Sequence, residues 1–309
     1  MSRAVNMLID NIEKIIIGKR IVIEHLLVAL LSDGHVLIED VPGVGKTQLV
    51  ASLARSVNGK FNRVQFTPDV MPSDIMGFSM FNPGTRQFEY REGAAMCNFL
   101  LADEINRTSP KTQSSLLEIM EEFQVTVDGK TYKLPSPFMV LATQNPIESF
   151  GTYPLPEAQM DRFFLKLTIG YPDKSEEKMI IDRFGNENPI NRLEPVMTTQ
   201  ELIELKERVK EVRVEDCLKE YIINIVDRTR KDNNVVLGCS PRGSLNLYRA
   251  SKAWAFIKGR DYVLPDDIQK MAVPVLSHRI IMTQGAKMKN IKAADVINDI
   301  LQKTEVPFV

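Results

Sequence analysis

His35-Val36-Leu37-Ile38-Glu39-Asp40-Val41-Pro42-Gly43-Val44-Gly45-Lys46-Thr47 opens as a short apolar run and closes as a glycine loop, and residues 48–57 then return to helical spacing. That order reads as strand, loop, helix. Gly43 and Gly45 let the backbone turn tightly and aim its N–H groups inward. Such donors, with the positive end of the helix that follows, bind phosphate oxygens. Gly43, Val44, Gly45, Lys46, Thr47 and Gln48 are therefore expected to hold a nucleotide: Lys46 reaches the β- and γ-phosphates, and Thr47 holds Mg²⁺. The strict pattern would have a further glycine where this chain has Asp40, but the core at 42–47 stands in the required strand-to-helix setting. A surface turn with a chance lysine is the competing reading, since short motifs recur by chance.

Phe99-Leu100-Leu101-Ala102-Asp103-Glu104 is a second motif. An apolar strand ending in two carboxylates puts them at the strand's C-terminal edge, where open α/β sheets bind ligands. Asp103 would bind Mg²⁺, directly or through its water, and Glu104 would orient and deprotonate an attacking water. Alone, the pair could be a solvated helix start; its occurrence with the glycine loop weighs against that.

Further runs at 61–66, 98–102, 138–143 and 163–168 read as strands, several almost uninterruptedly apolar, as buried parallel strands are. Helices such as 111–122 lie between them. The alternation indicates an α/β fold with a doubly wound parallel sheet. Ahead of it, 5–17 reads as an amphipathic helix ending near Gly18, and 21–31 as a strongly apolar helix closed by Asp33-Gly34. Two insertions break the alternation. One, at 78–90, has an Asn82-Pro83-Gly84 turn between aromatic-rich arms; the other, at 125–132, has Asp128-Gly129 between β-formers, a hairpin signal. Beyond Tyr171-Pro172 the strand signal fades. Pro189 and Pro195 bracket a linker, Thr198 and Glu201 form a capping box, and helices at 217–230, 242–258, 266–276 and 293–303 make an all-helical C-terminal domain. The expected division is 1–190 for the nucleotide-binding core and 191–309 for the helical domain.

The net charge of the 309 residues is -1, which gives no sign of nucleic-acid binding. Cys97, Cys217 and Cys239 are widely spaced and odd in number, neither a disulfide framework nor a metal knuckle. A reducing, cytoplasmic setting is the expectation. Asp10 and Glu13 interrupt the apolar residues at the start, which does not read as a signal peptide, and no apolar run is long enough to span a bilayer. His25 and His35 lack ligand-spaced partners. His278-Arg279 reads as a packing or helix-end pair, Trp254 and Phe256 as core, and 206–210 as a solvated helix face.

The glycine loop, Leu101-Ala102-Asp103-Glu104-Ile105-Asn106-Arg107, Ala142-Thr143-Gln144-Asn145-Pro146, the 155–163 segment Leu-Pro-Glu-Ala-Gln-Met-Asp-Arg-Phe, and Ser240-Pro241-Arg242-Gly243 follow in this order. Together they resemble the MoxR family of AAA+ ATPases over nearly the whole chain. The resemblance implies an AAA+ P-loop core with a C-terminal helical lid, ATP and Mg²⁺ as cofactors, and a homo-oligomeric ring, expected to be a hexamer. Asn145 matches the sensor-1 position, where an amide holds the attacking water or the γ-phosphate. Arg162 matches the arginine finger that a neighbouring subunit supplies to neutralise charge on the transferred phosphoryl group. Arg242 matches sensor 2, acting in cis or in trans. Ile17 and Gly18 fit the adenine-side segment. Arg107 is a further trans-acting candidate, and Gln65 stands at a strand end in reach of the catalytic glutamate's neighbourhood. The two insertions resemble the helix-2 and pre-sensor-1 insertions of this clade.

MoxR-like proteins resemble chaperones that mature or activate other proteins, often beside a partner with a von Willebrand factor A domain. The leading expectation is therefore ATP hydrolysis coupled to remodelling of a protein client. Two others stand beside it. One is a nucleic-acid motor of the same clade, against which Lys130 and Lys133 are too few phosphate-binding charges. The other is an assembly switch that binds ATP with little turnover, against which every catalytic position is occupied.

Overall fold

The computed structural model describes residues 2–145, 151–185 and 189–308. Chain order gives α1 (Ser2–Glu13), α2 (Arg20–Leu31), β1 (Val36–Glu39), α3 (Lys46–Ser56), β2 (Phe61–Gln65), α4 (Pro72–Met76), β3 (Gly77–Asn82), β4 (Gln87–Glu92) and β5 (Phe99–Asp103). After these come α5 (Pro110–Glu122), β6 (Gln124–Val127), β7 (Lys130–Lys133), β8 (Met139–Gln144), α6 (Glu157–Met160), β9 (Leu165–Leu167) and α7 (Lys174–Phe184). Five strands form one sheet in the order β2-β5-β8-β1-β9, and every pairing in it is parallel.

The sheet explains why its strands are apolar without alternation. Successive side chains of a strand point to opposite faces, and here both faces are covered. Val36, Ile38, Phe99, Leu101, Met139 and Leu141 join one core cluster with α1, α2 and α3. Leu37, Leu100, Ala102, Val140 and Ala142 join another with Leu116, Leu117 and Met120 of α5. The strand read at 163–168 is shorter than expected. β9 is an edge strand that pairs with β1, itself four residues long, so there is little to hold a longer run. α7 was not anticipated, although Asp173 and Glu176 cap its start reciprocally. The first helix closes earlier than the 5–17 reading, at Glu13.

Both insertions are antiparallel hairpins. In β6–β7 the turn is Asp128-Gly129, at φ 49 and 76, and Val127 pairs with Lys130. In β3–β4 the Asn82 side chain accepts from the Gly84 N–H at 2.9 Å and so shapes the turn. The hairpins touch: Tyr90 of the first stacks on Tyr132 of the second, with ring centroids 4.0 Å apart and planes 14° apart.

The C-terminal part contains α8 (Thr199–Lys210), α9 (Asp216–Lys231), β10 (Val235–Leu237), α10 (Pro241–Ile257), α11 (Pro265–Leu276), β11 (Ile281–Met282), α12 (Gln284–Met288) and α13 (Ala293–Lys303). Thr198 and Glu201 form the expected capping box. The lid is helical, except that β10 and β11 pair antiparallel as a ribbon, in segments too short to show a period, and Arg213 and Tyr262 form a single bridge. Trp254 and Phe256 are buried in the core as read. The 206–210 face is not wholly solvated, because α8 packs against α2 and Lys206 is buried there. Its ammonium reaches Asp33 at 2.8 Å while its stem lies along apolar surface.

Candidate nucleotide site and its arginine cluster

The glycine loop joins the C-terminal end of β1 to the first turn of α3. Gly43 and Gly45 have φ of 86 and 87, and a Cβ on either would meet no atom within 4 Å. Glycine is required there by the backbone conformation, not by crowding. Asp40, in the place of the strict pattern's first glycine, is buried. Its Oδ2 accepts from the N–H groups of Ile169 and Gly170, each at 2.7 Å, and its Oδ1 accepts from the Val41 N–H at 2.9 Å. The carboxylate thus ties the start of the loop to the segment that leaves β9. Lys46 Nζ donates to the Asp40 carbonyl at 2.8 Å.

Across the cleft, β5 delivers Asp103 and Glu104. The Thr143 hydroxyl, fully buried on β8, serves both: it donates to Asp103 Oδ1 at 2.6 Å and accepts from the Glu104 N–H at 2.9 Å. Glu104 has the left-handed backbone φ of 57, uncommon for a residue with a side chain. Gln65 and Arg107 donate to its Oε2 at 2.8 and 3.0 Å. Arg63 donates to Asp103 Oδ2 at 2.7 Å. These groups face one cleft of about 360 Å³ lined by Pro42, Gly43, Gly45, Lys46, Thr47, Gln48, Arg63, Gln65, Asp103, Glu104 and Asn145. Another cleft of about 370 Å³ opens beside Lys210, Arg249 and Lys252, but it has neither glycine loop nor paired carboxylates.

Most of the expected residues therefore meet. Val44 does not line the cleft; it packs against the core cluster behind the loop. Ile17 is buried, and Gly18, at φ 72, lies so close to Glu176 of α7 that a Cβ there would collide with the carboxylate. Neither is among the residues lining the cleft. Arg63 and Thr143 went unread in the sequence. Their signal exists only once β2 and β8 are known to flank β5.

Arg162 and Arg242 also lie outside the cleft of their own chain. Both meet Glu121, near the end of α5. Arg242 Nη2 donates to Glu121 Oε1 at 2.7 Å, and Arg162 Nη2 lies 3.3 Å from Oε2. Behind them Asp161 accepts from the Ser240 hydroxyl at 3.0 Å and forms an ion pair, though not an aligned hydrogen bond, with Arg279 Nε at 3.0 Å. Arg279 is buried and also donates to the carbonyls of Phe163, Phe164 and Val275. Burial pushes its guanidinium down to about 10, with Asp161 opposing, so it stays charged at neutral pH.

Chemically, the cleft offers a glycine loop at the start of an eleven-residue helix, a lysine, and hard oxygen donors from Thr47 and Asp103. That set fits phosphate oxygens and a small oxygen-loving cation such as Mg²⁺.

Residues 35–165 match the ATPase family associated with various cellular activities (AAA), and residues 227–300 match the AAA lid domain. The chain is 51% identical to the protein YeaC of Bacillus subtilis, over 97% of this chain and 93% of that one. It is 44% identical to the chaperone MoxR1 of Mycobacterium tuberculosis, over 97% of this chain and 82% of that one. A crystal structure from Cytophaga hutchinsonii, 40% identical, superposes with a TM-score of 0.94 over 99% of this chain and 96% of that one.

Proposed function

Because the chain belongs to the MoxR family of AAA+ ATPases, we propose that it hydrolyses ATP with Mg²⁺ as a hexameric ring of identical subunits and uses the cycle to remodel, mature or activate a protein client in the cytoplasm. One observation carries this reading. A glycine loop and two carboxylates share one cleft, while Arg162 and Arg242 sit outside it on the same protomer. A complete site then needs two subunits.

In this reading Lys46 leaves the Asp40 carbonyl and binds the terminal phosphates. Thr47 and Asp103 hold Mg²⁺, which when bound neutralises charge on the phosphate oxygens. Glu104 orients the attacking water and accepts its proton, while Gln65 and Arg107 hold the carboxylate until the site is filled. Asn145 presents its amide at the end of β8. Arg162, from the neighbour, meets the charge that develops on the transferred group. Ile17 and Gly18 form the adenine side. The working division is 1–190 for the core and 191–309 for the lid.

A protein client, alone or with a von Willebrand factor A partner, is supported by the β3–β4 hairpin. It exposes Phe78, Met80, Phe81 and Phe88, an apolar surface of the kind that contacts proteins.

The test is steady-state ATPase activity against protein concentration for the wild type, Arg162→Ala, Glu104→Gln and a mixture of the two variants. Specific activity should rise with concentration, each variant should be inactive alone, and the mixture should regain activity. Normal turnover by Arg162→Ala, at concentrations where sizing shows monomer, would sink the shared site.

A further inference from the structure

The cluster around Glu121 has a rigid back and a loose front. At the back, the Arg279 side chain is 1% exposed, grips Asp161 and binds the carbonyls of Phe163 and Phe164. His278 Nε2 adds a hydrogen bond to the Phe163 carbonyl at 3.0 Å. The backbone on either side of Arg162 is therefore pinned. On the lid side, Ser240 caps α10, accepts from the Arg242 N–H at 3.2 Å, and donates to the same Asp161. At the front, Glu121 is 33% exposed, Arg162 31% and Arg242 44%. Ion pairs that open to water are weak, so this contact can be exchanged for another anion.

Two guanidiniums side by side repel each other. One carboxylate with an oxygen for each removes that repulsion and fixes the spacing between them. Arg162 comes from the core and Arg242 from the lid. Asp161, next to Arg162, lies 4.0 Å from Arg242 Nη1 and links the two segments, but Glu121 is the group whose carboxylate meets both guanidiniums.

We propose that Glu121 is a positioning residue, which holds Arg162 and Arg242 as a pair in register for the neighbouring subunit's nucleotide and yields them to its phosphates. This rests on the trans reading of Arg162 given above, and it places Arg242 on the same, neighbour-facing side. Glu121 itself touches no substrate.

The experiment is a subunit-mixing assay with Glu121→Ala and Glu121→Gln, each first checked for a native sizing profile and circular dichroism spectrum. Each variant alone should lose between about ten- and a hundredfold in kcat, the scale of a misplaced catalytic group. Binding of a fluorescent ATP analogue should stay within twofold of wild type, because the loop residues are untouched. Mixed with Glu104→Gln, which keeps its arginines, Glu121→Ala should regain activity. Mixed with Arg162→Ala, which lacks the same lent group, it should not. Recovery in that second mixture overturns the proposal, since Glu121 would then serve its own subunit's cleft. Wild-type turnover by both variants overturns it too, as does failure of both to fold. If the control mixture of Arg162→Ala with Glu104→Gln regains nothing, the shared site itself fails, and Glu121 falls with it.

Discussion

Thr143 is fully buried, yet its one hydroxyl holds both halves of the carboxylate motif. Valine would keep its shape and remove both bonds. Thr143→Val should leave the Glu104 N–H without a partner and destabilise the fold by about 1–3 kcal/mol, seen as a lower urea midpoint. Its kcat should drop while nucleotide affinity holds; unchanged turnover would show that Asp103 and Glu104 need no such tether. Asp40 makes the opposite point about the loop. Asp40→Gly restores the strict motif but strips the acceptor from Ile169 and Gly170. Hydrogen bonds to a charged group contribute about 1.5–3 kcal/mol each, so the variant should be less stable than the wild type in guanidinium titrations. A neutral or stabilising result would mean that the loop's anchor lies elsewhere. Lys46, Thr47, Asp103 and Glu104 could be read because each motif is contiguous in the chain. Gln65 could be placed only near the glutamate, and Arg63 and Thr143 act through the order of strands, which crossovers set and local pattern does not record.

Asp128-Gly129 announced a hairpin, and both residues take positive φ in a two-residue turn. Nothing in either insertion announced that the hairpins would meet, because Tyr90 and Tyr132 are far apart in sequence and each fits its own strand unaided. The β10–β11 ribbon escaped notice for a simpler reason: two or three residues carry no period. Lys206 misled because charge at helical spacing suggests solvent, and a long stem can still lie flat on a neighbouring helix. The stack itself can be tested. Tyr132→Ala should remove about 0.5–1.5 kcal/mol of ring–ring interaction beyond lost area. Amide exchange should then quicken in β3–β4 as well as in β6–β7. Faster exchange in β6–β7 alone would show two independent hairpins.

All three histidines of the chain are held below their ordinary range. Burial and the nearby Lys270 and Lys258 bring His25 to about 4. Burial brings His35 to about 4; its Nε2 bonds the Met120 carbonyl and its Nδ1 accepts from the Val140 N–H, which requires the neutral ring. Burial beside Arg279 drives His278 well down. The unfolded chain therefore binds more protons than the folded one below the ordinary histidine value. Stability should be fully present above pH 6.5 and fall as pH drops toward 4, by about 1.4 kcal/mol per pH unit for each proton taken up. Urea titrations at pH 7.5, 6 and 5 check it, and a constant midpoint would refute it. At the same scale stands α5. Thirteen residues of helix run about 20 Å; Gln113 in its first half holds the Ile105 carbonyl of the turn that follows Glu104 at 3.0 Å, and Glu121 at its far end grips the two arginines. In the proposed ring, the element tied at one end to the turn after the catalytic glutamate bears at its other end the carboxylate that holds what that subunit lends to the next. A push at one end is delivered at the other within the same rigid body, so the chain direction of a single helix would set the sense in which turnover travels round the ring.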